Sequence, residues 1–526
     1  MRRKIHSDEI VTLEESVRSA AKASCALAMS VIMLATTCTG TGDASPLTRG
    51  TAAHHPEGAI EWSACPDTAE IECGTLRVPL DWDRPRDGTI ALAMSRHRAI
   101  DPARRIGVLL VNPGGPGISV VDYARPSVNG FTRELLERFD IVGFDTRGVG
   151  RSEPFQCTPD VLKESPPLAP ADQAGFDAIR NYNRLYNDDC RARTGPVFDH
   201  AESRSSANDM EAVRRALGEQ QISYYGASYG TVLGQEYADR FGSRLRALVL
   251  DSVLDRGMSM EAFNRAEAAT VEDAFHQFVS WCDLDETCAL HGRDVTQVWD
   301  NLISRAERGV LANPATPDKA VGAEPIINFM RANAYEPGWS ATANWLRLAD
   351  ATPPAPRGAE VLQMPPYPMA IVPVTCRDVP YRVRGFEEFN RLLTESRRLA
   401  PHMRYNTYSQ YVISRCMDFP GPTAAQRPLR MHRASSTLIL SGRHDPVTPH
   451  AMAVNVQRRA RDRSTLLTYD GVGHHQYDRS DCMRAATDRY LLTMALPPSG
   501  ARCAAVEPLT SRTGRSERHP GKHHAP

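Results

Sequence analysis

Four things are missing from this 526-residue sequence, and each absence removes a class of function. The first is any excess of charge: 62 Lys+Arg stand against 63 Asp+Glu, a formal net charge of −1. A nucleic-acid partner would call for a basic patch or stripe, so none is expected. The second is a membrane span, which needs about 20 consecutive apolar residues. The longest candidate, Ala23 to Ala35 ("ASCALAMSVIMLA"), falls short of that. The third is C-x-x-C spacing, which no pair of the 12 cysteines shows, so no zinc site and no cofactor are expected. The fourth is an internal repeat, whose absence sets aside solenoids and propellers.

What remains is an ordinary globular composition, 41% hydrophobic and 24% charged. The length suits one large domain with an insertion, or two to three domains. Arg18 and Lys22 precede the short apolar run, and the polar "TTCTGTGDASP" follows it, which fits a secretory signal with its linker over 1–45. Asp8, Glu9, Glu14 and Glu15 are unusual ahead of such a run and leave the true start open. Cys38 offers an alternative, a lipid anchor at the cell surface. In Leu34-Ala35-Thr36-Thr37 the residue directly before it is not the usual Gly or Ala, so the secreted form is preferred. Ten cysteines then remain, at 65, 73, 157, 190, 282, 288, 376, 416, 482 and 503. An even set in an exported chain points to disulfides, with nearest neighbours in sequence as the expected pairs. The basic, apolar-poor end, 507–526, reads as a disordered tail.

Between these ends the chain alternates strand-like and helix-like patterns. "GTLRVPLDW" and "TIALAMSRHRA" flank the turn "DRPRDG", and "IGVLLVN", "FDIVGFD", "ISYYG" and "LRALVLD" are continuous apolar runs. Such runs, alternating with helical spacing, indicate a mostly parallel sheet covered on both faces, hence an α/β fold. The sheet is expected over 58–254 and again over 435–505, where "STLILSGRHDPVTP" and "STLLTYDGVGHHQY" follow. Between them, 255–434 has helical spacing ("MEAFNRAEAATVEDAFHQFVSWC", "VTQVWDNLISRAERG", "GWSATANWLRLAD") broken by a proline-rich link, and reads as a helical cap.

The chemistry centres on "SYYGASYGTVLG", Ser223 to Gly234. A lone G-x-S-x-G is weak evidence, but Ser228 lies directly between a strand and a helix, the setting of a nucleophile elbow. A turn that sharp leaves no room for side chains at Gly226 and Gly230. "NPGGPG", Asn112 to Gly117, ends an earlier strand, and its small residues let backbone amides approach a substrate carbonyl. The amides of Gly115 and Tyr229 are the expected oxyanion donors. Asp445 and then His474 each follow a later strand, in the order Ser…Asp…His that this architecture uses. His475 competes for the role of base, and His474 is preferred because it follows Gly473 directly.

With these motifs in view the chain resembles the secreted tripeptidyl aminopeptidase branch of the α/β hydrolases, related to the proline iminopeptidases. The resemblance spans roughly Trp62 to Cys503 and rests on "WSACP", "VNPGGPGISV", "FDTRGVGRSEP", "YYGASYGTVLGQEYADRFGSRLRALVLDSVLD", "LILSGRHDPVTP" and "GVGHHQY". It implies an α/β-hydrolase fold, with Ser228 as nucleophile, Asp445 as orienting acid and His474 as base. It also implies oxyanion amides from Gly115 and Tyr229, and a threonine near the triad at Thr448. Asp145, Arg147 and Arg151 are expected to brace loops rather than react. Two departures stand out: "LDSVLDR" where the family often carries "LDGVLDP", and the His474-His475 pair in place of a single histidine. The leading expectation is a secreted serine exopeptidase acting on peptides, its substrate's free amine held by an insertion carboxylate such as Glu261, Glu267, Glu272 or Asp273. The alternatives are an esterase or amidase acting on small acyl substrates, and a binding protein that has kept the fold. No feature of the sequence specifies an oligomeric state.

Overall fold

Ten strands assemble into one sheet in a computed structural model that describes residues 59–506, apart from 67, 126–128, 365–366, 380, 421–427, 432–433, 435 and 461–462. The expected signal and linker at 1–45, Cys38 and the tail at 507–526 lie outside the described residues. The strands are β1 (Glu61–Cys65), β2 (Thr68–Pro79), β3 (Thr89–His97), β4 (Gly107–Asn112), β5 (Phe139–Phe144), β6 (Ile222–Ala227) and β7 (Leu245–Asp251). A small separate sheet uses β8 (Ala312–Asn313), β9 (Thr316–Val321) and β10 (Val361–Leu362). The large sheet then resumes with β11 (Thr437–His444), β12 (Ser464–Val472) and β13 (Arg502–Cys503).

The order across the large sheet is β1-β2-β3-β5-β4-β6-β7-β11-β12-β13. From β5 to β13 every neighbouring pair is parallel, while β1, β2 and β3 add an antiparallel edge. Sequence pattern follows position. All residues of β4, β5 and β6 are buried, because helices cover both faces there. β2, in the antiparallel part near the edge, by contrast has exposed residues among buried ones. The β2–β3 hairpin matches the reading of the two runs around "DRPRDG".

Between β7 and β11 the chain builds a cap. Its helices include Met260–Leu284, Val295–Glu307, Ala323–Asn333, Trp339–Ala351, Ile371–Asp378, Phe386–Leu399 and Thr407–Arg415. The first starts where Ser259 accepts a hydrogen bond from the amide of Ala262, which satisfies one otherwise unpaired helix-end donor. The three-stranded sheet β10-β9-β8 is an addition to the helical pattern read from sequence. A second addition comes from between β5 and β6. The helix Gln173–Thr194 packs on the cap, with Asn183 donating to the carbonyls of Ser414 and Met417. One apolar cluster runs from Val108 and Tyr224 in the sheet to Trp299 and Leu346 in the cap.

The ten expected cysteines form five disulfides, and all pair as sequence neighbours: 65–73, 157–190, 282–288, 376–416 and 482–503. Two of them anchor edges, Cys65–Cys73 tying β1 to β2 and Cys482–Cys503 tying the two-residue β13 to the last helix. Among the described residues, no helix is long and apolar enough to cross a membrane.

Candidate active site

Ser228 occupies the tip of a strand–turn–helix, between β6 and the helix Tyr229–Phe241. Its backbone stands at φ 52, ψ −124, a conformation that costs a non-glycine residue on the order of 1–3 kcal/mol and persists only when its surroundings enforce it. The enforcement is visible. The amide of Ser228 donates to the carbonyl of Asp251 at the end of β7, and Thr231 returns both its amide and its hydroxyl to the carbonyl of Ser228. A Cβ on Gly226 would lie 2.4 Å from the carbonyl oxygen of Gly230, and a Cβ on Gly230 would lie 2.3 Å from that of Asn112. The two glycines are therefore required by contact.

The same contact seats the "NPGGPG" loop against the elbow. Asn112 ends β4 beside Gly226, and its side-chain oxygen accepts from the amide of Gly114. Gly114 itself presses on the elbow, since a Cβ there would be 2.8 Å from both the Ser228 Cβ and the Tyr229 nitrogen. Gly115 follows, half-buried, at φ 108. Asp145 holds the far end of the loop, accepting from the Ser119 hydroxyl and from the amides of Val120, Val121 and Arg151. Arg147 is fully buried on Asp209 and also donates to the carbonyls of Pro79, Leu80 and His200. Asp145 and Arg147 thus brace loops, as the sequence suggested. Arg151 contributes its backbone amide there, and its side chain reaches Asp122.

Asp445 and His474 meet beyond the ends of β11 and β12. Nδ1 of His474 lies 2.9 Å from Oδ2 of Asp445 and 3.0 Å from Oδ1, with both side chains buried. Asp445 also accepts from the amides of Val447 and Thr448, the Thr448 hydroxyl at 2.7 Å, and Nε2 of Gln476. Burial disfavours its charge, but the His474 charge, the His474 hydrogen bond and the Thr448 donors prevail and hold the carboxyl below its ordinary value. Thr448 is therefore a positioning residue for Asp445. The ring of His475 is not the one on Asp445: it sits 4.6 Å from the His474 ring, and its backbone amide donates to the Ser252 hydroxyl.

That last bond joins the two departures from the family pattern. Ser252 stands at φ 55, which a glycine would adopt without strain, and its hydroxyl takes the amide of His475 and Nε2 of Gln476. Asp251, beside it, accepts from the amides of Gln476 and Tyr477 and from the Tyr225 hydroxyl. The end of β7 therefore fixes both the elbow and the histidine loop. Asp251 and Gln476 escaped the sequence reading, although "VLDSVLD" and "GHHQY" contain them.

The cap touches this assembly directly. Thr270 of the Met260–Leu284 helix donates its hydroxyl to the carbonyl of Asp445, and Asn406 donates to that of Pro446. The carbonyl of Tyr335 accepts from the amide of His474, and its ring meets the His474 ring edge-on at 5.0 Å. A cavity between elbow helix and cap is lined by Tyr229, Phe263, Tyr381, Tyr408, Arg256 and Asp378. The Tyr229 hydroxyl donates to Asp378, which with Glu236 also pairs with Arg256, the residue where the family often has proline.

Residues 107–480 match the family described as alpha/beta hydrolase fold. The chain belongs to that family. This α/β hydrolase is 29% identical over 490 residues to "Serine protease Hip1" of Mycobacterium tuberculosis, covering 84% of the chain and 91% of that protein. It is 28% identical over 492 residues to "Tripeptidyl aminopeptidase" of Streptomyces coelicolor, covering 86% and 87%. It is also 30% identical over 482 residues to "Carboxylesterase B" of Mycobacterium tuberculosis, covering 84% and 89%.

Proposed function

We propose that this α/β hydrolase is an exported serine exopeptidase that releases short peptides, tripeptides among them, from free N-termini. The observation that carries the reading is the buried His474–Asp445 pair, held from above by cap residues at Thr270, Tyr335 and Asn406. In the proposed reaction, Oγ of Ser228 bonds to the scissile carbonyl carbon as Nε2 of His474 takes its proton. Asp445 holds the ring through Nδ1 and stabilises the imidazolium. The amides of Gly115 and Tyr229 stabilise the oxyanion, each donor of this kind being worth about 3–4 kcal/mol. His474 then returns the proton to the leaving amine as the C–N bond breaks, and water hydrolyses the acyl-enzyme to free the short peptide. Five disulfides support an oxidising, extracellular setting.

The substrate's ammonium needs an anionic partner in so enclosed a site, because an unpaired buried charge costs several kcal/mol. Three of the four candidate carboxylates are otherwise placed. Glu261 is exposed, Glu272 accepts the amides of His402 and Met403, and Asp273 pairs with His444. Glu267 is the fourth. It is fully buried, bonds Asn406 through one oxygen and leaves the other without a partner. Burial first, and then the charge of Asp445, push its carboxyl well above the ordinary value, and only Arg331 opposes them. An arriving ammonium would relieve that penalty, so Glu267 is the proposed amine anchor.

The test compares kcat/KM for a tripeptidyl chromogenic substrate and its N-acetylated form, in the parental protein and in Glu267→Gln. The parental enzyme should strongly prefer the free amine, and the variant should lose most of that preference. An equal drop on both substrates would make Glu267 a positioning residue and remove it as anchor. The similarity to a carboxylesterase favours a second reading, an esterase or amidase. Parental preference for simple esters, or indifference to acetylation, would establish that reading instead.

A further inference from the structure

Three side chains of metal-ligating type, Glu272, His276 and His402, meet on the cap. Glu272 and His276 are four residues apart on the Met260–Leu284 helix, so their side chains share one face. His402 approaches from the loop before the Thr407–Arg415 helix. Nε2 of His276 lies 3.6 Å from Oε1 of Glu272, and Nε2 of His402 lies 3.9 Å from the same oxygen. One ligand atom from each of the three residues falls within 4.8 Å of the others. Bonds of about 2.0–2.2 Å in a tetrahedron put ligand atoms roughly 3.4 Å apart, so a small contraction of this triangle would fit a metal ion.

Two further features point to coordination rather than a surface ion pair. Nδ1 of His402 lies 3.0 Å from Oδ1 and 3.1 Å from Oδ2 of Asp300. A carboxylate on the distal nitrogen fixes the tautomer, leaves the Nε2 lone pair toward the cluster and makes it more basic, the usual outer partner of a metal-bound histidine. Glu272 is itself oriented, its carboxylate accepting the amides of His402 and Met403. The site is thus braced before any ion arrives. His276 is half exposed, at 52% for its side chain, which leaves a path for entry and room for a water as fourth ligand.

We infer that Glu272, His276 and His402 bind a late first-row divalent metal, with zinc as the probe, and that Asp300 supports His402 as its outer partner. Two imidazoles and one carboxylate suit zinc, cobalt, nickel or copper. The site has a structural consequence. It would tie the helix that carries Thr270 to the loop that carries Asn406, the two cap elements that hold the backbone of Asp445 and Pro446. Binding there should therefore raise the stability of the cap on the sheet.

The test uses the full chain, stripped with chelator, desalted and titrated with zinc chloride at pH 7.5 by calorimetry, with thermal unfolding in parallel. The adjacent pairs His54–His55, His474–His475 and His523–His524 could also take zinc, so the comparison is with variants that keep all three. The parental chain should bind one equivalent more than the His276→Ala/His402→Ala double variant, and only the parental chain should show a zinc-dependent rise in Tm from this site. Asp300→Asn should keep the stoichiometry while weakening the site about 10–100-fold. Should the double variant destabilise the cap, His276→Ala alone serves, since that ring is half exposed. Equal stoichiometry and equal Tm response in parental and variant chains would overturn the proposal.

Discussion

Replacing Gly230 by alanine should uncouple the proposed oxyanion loop from the elbow while leaving the chain folded. The added Cβ would stand 2.3 Å from the carbonyl oxygen of Asn112 and 2.9 Å from its side-chain oxygen. That carbonyl is backbone at the end of a fully buried strand and cannot swing aside, so the two segments must part by about 0.7 Å to restore even the closest ordinary contact. Overpacking of this kind costs about 1–3 kcal/mol in stability. In a chain this long that is a Tm change of a few degrees. The catalytic cost is larger. Asn112 holds Gly114 through its side chain, so its displacement carries Gly114 and Gly115 away from Ser228. A misplacement near 1 Å costs about 10²-fold, and loss of one oxyanion donor costs about 10²–10³-fold. The expected result is a fall of about 10²-fold or more in kcat on a tripeptidyl chromogenic substrate, with a smaller change in KM. Gly385→Ala is the control, because its Cβ would meet nothing within 4 Å and its backbone is extended at φ −179. A folded Gly230→Ala enzyme with kcat within about threefold of the parental value would refute the proposed seating of the loop.

Other expectations follow from the same geometry. Ser228→Ala should abolish turnover with little change in Tm, and the residual rate over water should not exceed about 10³–10⁴-fold. His474→Ala should match that loss, since the two groups act as one unit, whereas His475→Ala should be much milder; the reverse order would mean that the base has been misassigned. Asp445 lies below its ordinary carboxyl value in the folded state, so its ionised form adds stability above that value and loses it as pH falls through the lower, folded value. The stability gap between the parental protein and Asp445→Asn should therefore be flat above about pH 5 and close in acid; a gap that widened in acid would contradict the direction of the shift. Denatured but unreduced protein should take up no alkylating reagent at the ten cysteines from Cys65 to Cys503.

Much of this arrangement was legible in the sequence because central strands carry a strong signal. β4, β5, β6 and β7 appear as continuous apolar runs, and Asn112, Ser228, Asp445 and His474 each sit where such a run ends. Pairing of cysteines by proximity also succeeded, because every bridge closes a local loop of 40 residues or fewer. Elsewhere the sequence reading left elements unassigned. The helix Gln173–Thr194 buries Asn183 and Asn187 among Phe176, Ile179 and its tyrosines, so polar residues interrupt its inward stripe. The helix Ile371–Asp378 is short, contains Pro373 and follows a proline-rich link, features that read as loop. Ranking Glu267 above Glu261, Glu272 and Asp273 required knowing which face of their helix met Asn406, the His402 loop and His444. The bond between Ser252 and His475 spans 223 positions, and Glu272 and His402 come together from distant segments, so no spacing rule reveals either. Local pattern reports strands and turns; what the cap brings to the sheet is a property of the packed chain.

The central claim, that Ser228 is the nucleophile of an acyl-enzyme mechanism, is met most directly by covalent labelling with a fluorophosphonate. Intact-mass measurement of the treated enzyme should show a single adduct, peptide mapping should place it on Ser228, and peptidase activity should fall in proportion to labelling. His474→Ala should label far more slowly. An adduct on any other residue, or full peptidase activity in quantitatively labelled protein, would contradict the account.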